Sequence, residues 1–176
     1  DLRGLRVLDA GCGTGALPLQ AALRGAEVAA IDLSPTLVQL AAERMAAEHP
    51  QLPGSVTFGS GDMLSPELGH FDHVVCMDSL IHYPCEQIAQ ALGRLATRTR
   101  HSMLFTFAPR TPLLAAMHRV GRMFPRSDRS PALEPVAAAR LHTALHTQLS
   151  SQAWFAARDR RIAHGFYTSH AWEWKR

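Results

Sequence analysis

Val7-Leu8-Asp9-Ala10-Gly11-Cys12-Gly13-Thr14-Gly15 decides how this chain folds. The run Arg6 to Leu8 reads as a short, buried parallel strand. Asp9 ends it, and glycines follow on alternate positions. Ala16 to Leu23 then reads as a helix closed by Gly25, a residue type suited to the turn just past a helix end. Strand, glycine turn and helix open a βαβ unit of the nucleotide-binding kind. The glycines allow a sharp turn and, lacking Cβ, let a ligand approach the main chain.

The next strand, Glu27 to Ile31, ends in a second acid, Asp32, near the spacing of about 20 residues expected for a ribose-binding carboxylate. Gly11, Gly13 and Ala16 also satisfy the dinucleotide pattern G-x-G-x-x-G/A. Glycine spacing alone therefore leaves two cofactor classes open. Asp9 and the extra Gly15 separate them. A carboxylate beside the turn repels a pyrophosphate and attracts a sulfonium cofactor carrying an α-amino group. The turn resembles motif I of the class I S-adenosylmethionine-dependent methyltransferases, an acid followed by x-G-x-G-x-G. That resemblance implies cofactor contacts from Asp9, Gly11, Cys12, Gly13 and Gly15, with Asp32 and Leu33 at the end of the second strand.

At 176 residues the chain suits one domain, residues 1–176, with a full hydrophobic core. A hydrophobic share of 47% with 19% charged residues excludes a disordered chain. No apolar run nears the roughly 20 residues of a membrane-spanning helix. The net charge of +3 does not by itself imply nucleic acid, and none is expected as a partner. Cys12, Cys76 and Cys85 match neither a zinc nor a disulfide spacing, which suggests a reducing, cytoplasmic setting. The sequence opens almost directly on the first strand. Methyltransferases of the class it resembles carry helices before that strand, so an N-terminal helical segment is expected to be missing.

Farther along, Ser34 caps a helix with Pro35 in its first turn, running to about His49 with Leu37, Leu40, Ala41 and Met45 on its apolar face. Val56 to Phe58 is the third strand. It leads to Asp62-Met63, where the methyltransferase class places an adenine-binding acid and its apolar neighbour. Phe71 to Met77 is the fourth strand and ends in Asp78-Ser79-Leu80-Ile81-His82-Tyr83-Pro84. Asp78 thus lies outside the carboxyl end of a central strand, where doubly wound sheets hold ligands. A helix over Glu86 to Thr97 turns Ile88, Leu92 and Leu95 inward, and Met103 to Phe107 is the fifth strand. Residues 108–150 read as an acceptor-side insertion, with helices over Leu113 to Arg122 and Pro135 to Leu149. Trp154 to Arg161 and Phe166 to Trp174 close the sheet as an antiparallel pair. The expected fold is α/β and Rossmann-like, with seven mostly parallel strands, an antiparallel last strand and helices on both faces.

A narrower resemblance runs over most of the chain. Asp78 to Pro84, Phe105 to Pro112, Phe124 to Pro131 and Gly165 to Ser169 are similar to the magnesium-protoporphyrin IX O-methyltransferases of (bacterio)chlorophyll synthesis. The resemblance implies methyl transfer from S-adenosylmethionine to one propionate carboxylate of Mg-protoporphyrin IX, leaving S-adenosylhomocysteine and the monomethyl ester. It implies His82 as the catalytic histidine and an acceptor site drawn from Tyr83, Arg110, Arg126, Arg129 and Tyr167. Subunits of magnesium chelatase and the periphery of photosynthetic membranes are the partners it brings to mind. A carboxylate acceptor is already ionised at neutral pH, because carboxyl pKa values lie near 4. His82 is therefore expected to orient or desolvate the propionate, with proton abstraction a minor role. An arginine on the reacting carboxylate would blunt its nucleophilicity, so the three arginines suit the second propionate. His142 and His146 stand at i, i+4 with no third metal ligand in view, and no resident metal is expected. Three other readings stay open: methylation at oxygen or carbon of another flat apolar molecule, a nicotinamide-dependent oxidoreductase, and a non-catalytic porphyrin carrier.

Overall fold

The structure, a computed structural model, describes residues 1–110, 133–164 and 167–176, with 164 and 167 described in backbone only. Seven strands are β1 (Arg6–Ala10), β2 (Glu27–Asp32), β3 (Ser55–Ser60), β4 (Phe71–Cys76), β5 (Thr99–Phe107), β6 (Phe155–His164) and β7 (Tyr167–Lys175). They form one sheet in the order β3-β2-β1-β4-β5-β7-β6. Strands β1 to β5 pair in parallel, and β7 runs antiparallel between β5 and β6. The chain winds outward from β1 to β3, then returns to place β4 on the other side of β1. That reversal opens a crevice at the carboxyl ends of β1 and β4.

Helices α1 (Ala16–Ala22), α2 (Pro35–Glu48), α3 (Cys85–Ala96) and α4 (Ala138–Leu149) cover the sheet. Alternation along each strand divides the two faces. Leu8, Val74, Met103, Phe105 and Trp174 point to one face, under Ile88, Leu92 and Leu95 of α3 and the Leu141, Leu145, Leu149 stripe of α4. Val7 and Val28 point to the other and pack on Ala21 and Ala22 of α1. Each fully buried leucine contributes roughly 1.5–3 kcal/mol. Ser34 caps α2 as expected, its Oγ accepting from Leu37 N at 3.3 Å.

Several expected boundaries move. Asp9 does not end β1 but lies inside it, paired with Ala30 and Val75 on either side. Strand β5 starts at Thr99 rather than Met103, because its polar first residues still pair with β4 and β7. Leu40 turns out of the apolar face of α2 and is 51% exposed, leaving Ala41 and Met45 buried. Helix α4 starts at Ala138 and not Pro135. The residues before it run extended along the end of β5, where Val136 N donates to Ala108 O and Arg110 N donates to Val136 O, both at 2.8 Å. Its leucines close the core against α3 and the β7 tryptophans. The helix expected over Leu113 to Arg122 lies outside the described residues.

Candidate active site

The crevice gathers residues from the ends of β1, β2, β3 and β4. Gly11 and Cys12 donate from their backbone nitrogens to Ile31 O at 2.8 and 3.0 Å, which ties the glycine turn to the end of β2. Asp32 braces the same turn. Its Oδ2 accepts from Gly13 N and its Oδ1 from Ser34 N, each at 2.9 Å. A carboxylate offers about four lone-pair sites, so Asp32 keeps capacity for ribose hydroxyls.

Asp9 is 1% exposed, and its Oδ1 has no hydrogen-bond partner among the described residues. Burial, followed by the charge of Asp32, pushes its carboxyl pKa up to about 7. A buried carboxylate oxygen without a donor is costly, and a cationic N–H group from a ligand would satisfy it. The glycines divide by neighbour. A Cβ on Gly11 would stand 2.4 Å from Ser79 Cβ, and one on Gly15 3.1 Å from Ala41 Cβ. Gly13, with φ +51°, meets nothing within 4 Å. Two glycines thus serve packing, and the third opens main chain to the crevice. Leu33, 73% exposed, and Met63, half-buried on the core, offer apolar surface on this side. Asp62 is exposed, with Oδ1 accepting from Leu64 N at 2.8 Å. An α-ammonium, a ribose and an adenine therefore find matching groups. A pyrophosphate would face the Asp9 carboxylate.

Asp78 takes a left-handed conformation, φ +55°, uncommon for a residue with a side chain. Buried Thr106 holds it there: Asp78 N donates to Thr106 Oγ1 at 2.7 Å, and that hydroxyl donates to Asp78 Oδ1 at 3.0 Å. Ser79 follows, packed on Gly11, with its Oγ buried and without a hydrogen-bond partner among the described residues. His82 is half-buried at the end of a 3-10 turn, Leu80–His82, whose Ile81 O accepts from Glu134 N at 2.9 Å. Tyr83, expected on the acceptor, is half-buried and packs against the core with part of its surface. Arg110 is exposed beyond β5. Arg126 and Arg129 lie outside the described residues, and of Tyr167 only the backbone is described.

Cys12 is buried, and its thiol is pushed up to about 12 by burial, then by Asp9 and Asp32, so it fills space without reactivity. His142 and His146 stack with ring centroids 6.5 Å apart, and His142 sets its edge on Trp172. Among the described residues no three His, Cys, Asp or Glu side chains group as metal ligands, and no helix is long and apolar enough to cross a membrane. A groove between α2 and β3 is lined by Met45, His49, Leu52 and Phe58. Sequence reading missed Thr106, Ser79 and Arg98, which brace the site from elsewhere in the chain. A hydroxyl within apolar Met103 to Phe107 is the only signal that pointed to any of them.

Residues 76–176 match the family model described as magnesium-protoporphyrin IX methyltransferase C-terminus, and residues 7–102 match a methyltransferase domain. The magnesium-protoporphyrin O-methyltransferase of Rhodobacter capsulatus is 43% identical over 175 residues, covering 99% of this chain and 74% of that protein. The enzyme of the same name from Synechocystis is 35% identical over 130 residues, or 74% of this chain and 56% of that one. A crystal structure of the Synechocystis magnesium protoporphyrin IX methyltransferase with bound SAH superposes with a TM-score of 0.83 at 30% identity, over 100% of this chain and 76% of that chain. With its sheet order, its glycine turn and these matches together, the chain belongs to the magnesium-protoporphyrin IX methyltransferase family.

Proposed function

We propose that this chain transfers a methyl group from S-adenosylmethionine to a propionate carboxylate of Mg-protoporphyrin IX, forming the monomethyl ester in (bacterio)chlorophyll synthesis. The observation that carries the acceptor is the family match over residues 76–176, the part that follows the cofactor turn. The orphaned Asp9 Oδ1 supports the cofactor. S-adenosylmethionine supplies a methyl on a positive sulfur, which leaves as a neutral thioether when the carboxylate oxygen takes the methyl. Asp9 holds the α-ammonium, and Asp32 receives the ribose hydroxyls. Leu33 and Met63 flank the adenine, and Asp62 accepts from its 6-amino group. Gly11, Gly13 and Gly15 shape the turn, with Cys12 as small filler, and Asp78 shapes the far wall.

The acceptor carboxylate must stand about 3 Å from the methyl, in line with the departing sulfur. It needs no base, so His82 holds it in place and excludes water. Arg110, with Arg126 and Arg129, suits the propionate that does not react. Contact with magnesium chelatase subunits and a cytoplasmic site at the edge of photosynthetic membranes complete the proposal.

Single-turnover methylation of Mg-protoporphyrin IX tests it, run with wild type, His82→Gln and His82→Asn. A positioning role predicts that one amide variant keeps measurable turnover at saturating S-adenosylmethionine. Complete loss in both variants, with a wild-type rate at saturating S-adenosylmethionine that falls as one group takes up a proton, would make His82 the base. Absence of methyl transfer by wild type, with S-adenosylhomocysteine bound, would exclude this acceptor.

A further inference from the structure

Arg98 is a buried cation with no ion pair among the described residues. It links α3 to β5, its backbone fixed by Arg98 N donating to Leu95 O at 3.1 Å and Arg98 O accepting from Phe71 N at 2.9 Å. The residue is only 9% exposed. Its side chain reaches the connection between β3 and β4, where Nη1 donates to Ser65 O and Nη2 to Met63 O. Those carbonyls belong to one short turn that Asp62 begins. Ser65 N donates to Asp62 O at 3.0 Å, and Leu64 N donates to Asp62 Oδ1 at 2.8 Å.

Burying a guanidinium without a carboxylate is expensive, and a neutral residue could have filled the space. What the guanidinium adds is a planar fork of donors that fixes two peptide planes at once. The planes it fixes carry Met63 and close the Asp62 turn. Burial, then Arg94, disfavours the Arg98 cation, while the charge of Asp62 favours it. Asp62 Oδ2 is left without a partner among the described residues, at the exposed end of the turn.

We infer that Arg98 is a positioning residue that sets the Asp62–Ser65 turn for the adenine 6-amino group and so determines selection of adenine over hypoxanthine. The inference rests on the role given to Asp62 above. A carboxylate aimed at an amino group rejects a carbonyl in the same place, and the rejection lasts only while the carboxylate is held.

The test is calorimetric binding of S-adenosylhomocysteine and S-inosylhomocysteine to wild type, Arg98→Met, Arg98→Lys and Asp62→Asn, with each variant's Tm. Wild type is expected to prefer the adenine ligand by about tenfold or more. Both Arg98 variants lose most of that preference through weaker adenine binding, while inosine binding changes little. Lysine, which keeps the charge but has no fork, reports even if the methionine variant fails to fold. A preference ratio that survives in both Arg98 variants, whatever the fall in Tm, overturns the inference and leaves Arg98 a fold strut. Discrimination by wild type that persists in Asp62→Asn overturns the Asp62 reading instead.

Discussion

Gly11 and Gly13 stand two residues apart, both at positive φ, yet for different reasons. At Gly11 a methyl group meets Ser79 Cβ at 2.4 Å and the Ser79 backbone at 3.5 Å, so the turn and the residues after β4 cannot both keep their places. Left-handed strain and overpacking together put Gly11→Ala on the order of 3 kcal/mol less stable in urea unfolding. Gly13 has open space, so Gly13→Ala costs about 1 kcal/mol. With the cofactor placed as proposed, it should nonetheless lose S-adenosylhomocysteine affinity in calorimetry, because the methyl would fill the open space beside the turn. Equal stability losses in the two variants would sink the distinction. Such residues were legible because glycine and aspartate carry their constraint in their own chemistry. Thr106 and Arg98 were not, because their partners, Asp78 and the Met63–Ser65 carbonyls, lie 28 and some 33–35 residues away in sequence.

Helix α4 shows what a period reveals and what it hides. Leu141, Leu145 and Leu149 repeat at four residues, and all three are fully buried, so the helix was legible. Its placement was not: the stripe says that something covers it, not that the cover is α3 and Trp174. Strand β5 failed in the opposite sense. Thr99-Arg100-His101-Ser102 reads as loop by composition but is held in the sheet by its two neighbours. Leu145→Ala should cost about 2–5 kcal/mol in urea unfolding, since the residue sits at the middle of the contact and leaves a cavity. Arg140 joins the same two helices through Nη2 to Glu86 Oε1 at 2.6 Å, with both side chains more than half exposed. Arg140→Ala should leave the unfolding midpoint unchanged, because water already solvates both charges. A larger loss at Arg140 than at Leu145 would mean that the helix pair is held by charge.

At the scale of the whole molecule, the Asp9 carboxyl links folding to pH in the direction opposite to the ion-paired Asp72 and Glu173. Asp9 lies on the strand where the winding reverses, between β2 and β4, so its charge is buried at the centre of the sheet. Its folded pKa stands at about 7 against 3.8 for the free group. Between those values the folded chain holds a proton that the unfolded chain has released. The contribution of Asp9 to stability therefore falls as pH rises through that window, and the penalty is complete above its folded pKa. Each pKa unit is about 1.4 kcal/mol, which puts the full penalty on the order of 4 kcal/mol. An ammonium-bearing ligand requires the ionised carboxylate and offsets that penalty. S-adenosylhomocysteine should thus bind about tenfold more weakly for each pH unit below the folded pKa. Its stabilisation of the fold should be larger at pH 8 than at pH 6. Asp9→Asn should raise the ligand-free Tm at pH 8, flatten the pH dependence and abolish most of the affinity. Thermal unfolding of both proteins at the two pH values, with and without S-adenosylhomocysteine, measures all of this. An equal ligand-induced shift at pH 6 and pH 8 in the wild type would show that Asp9 does not receive the ammonium, and the cofactor would need another anchor in the crevice.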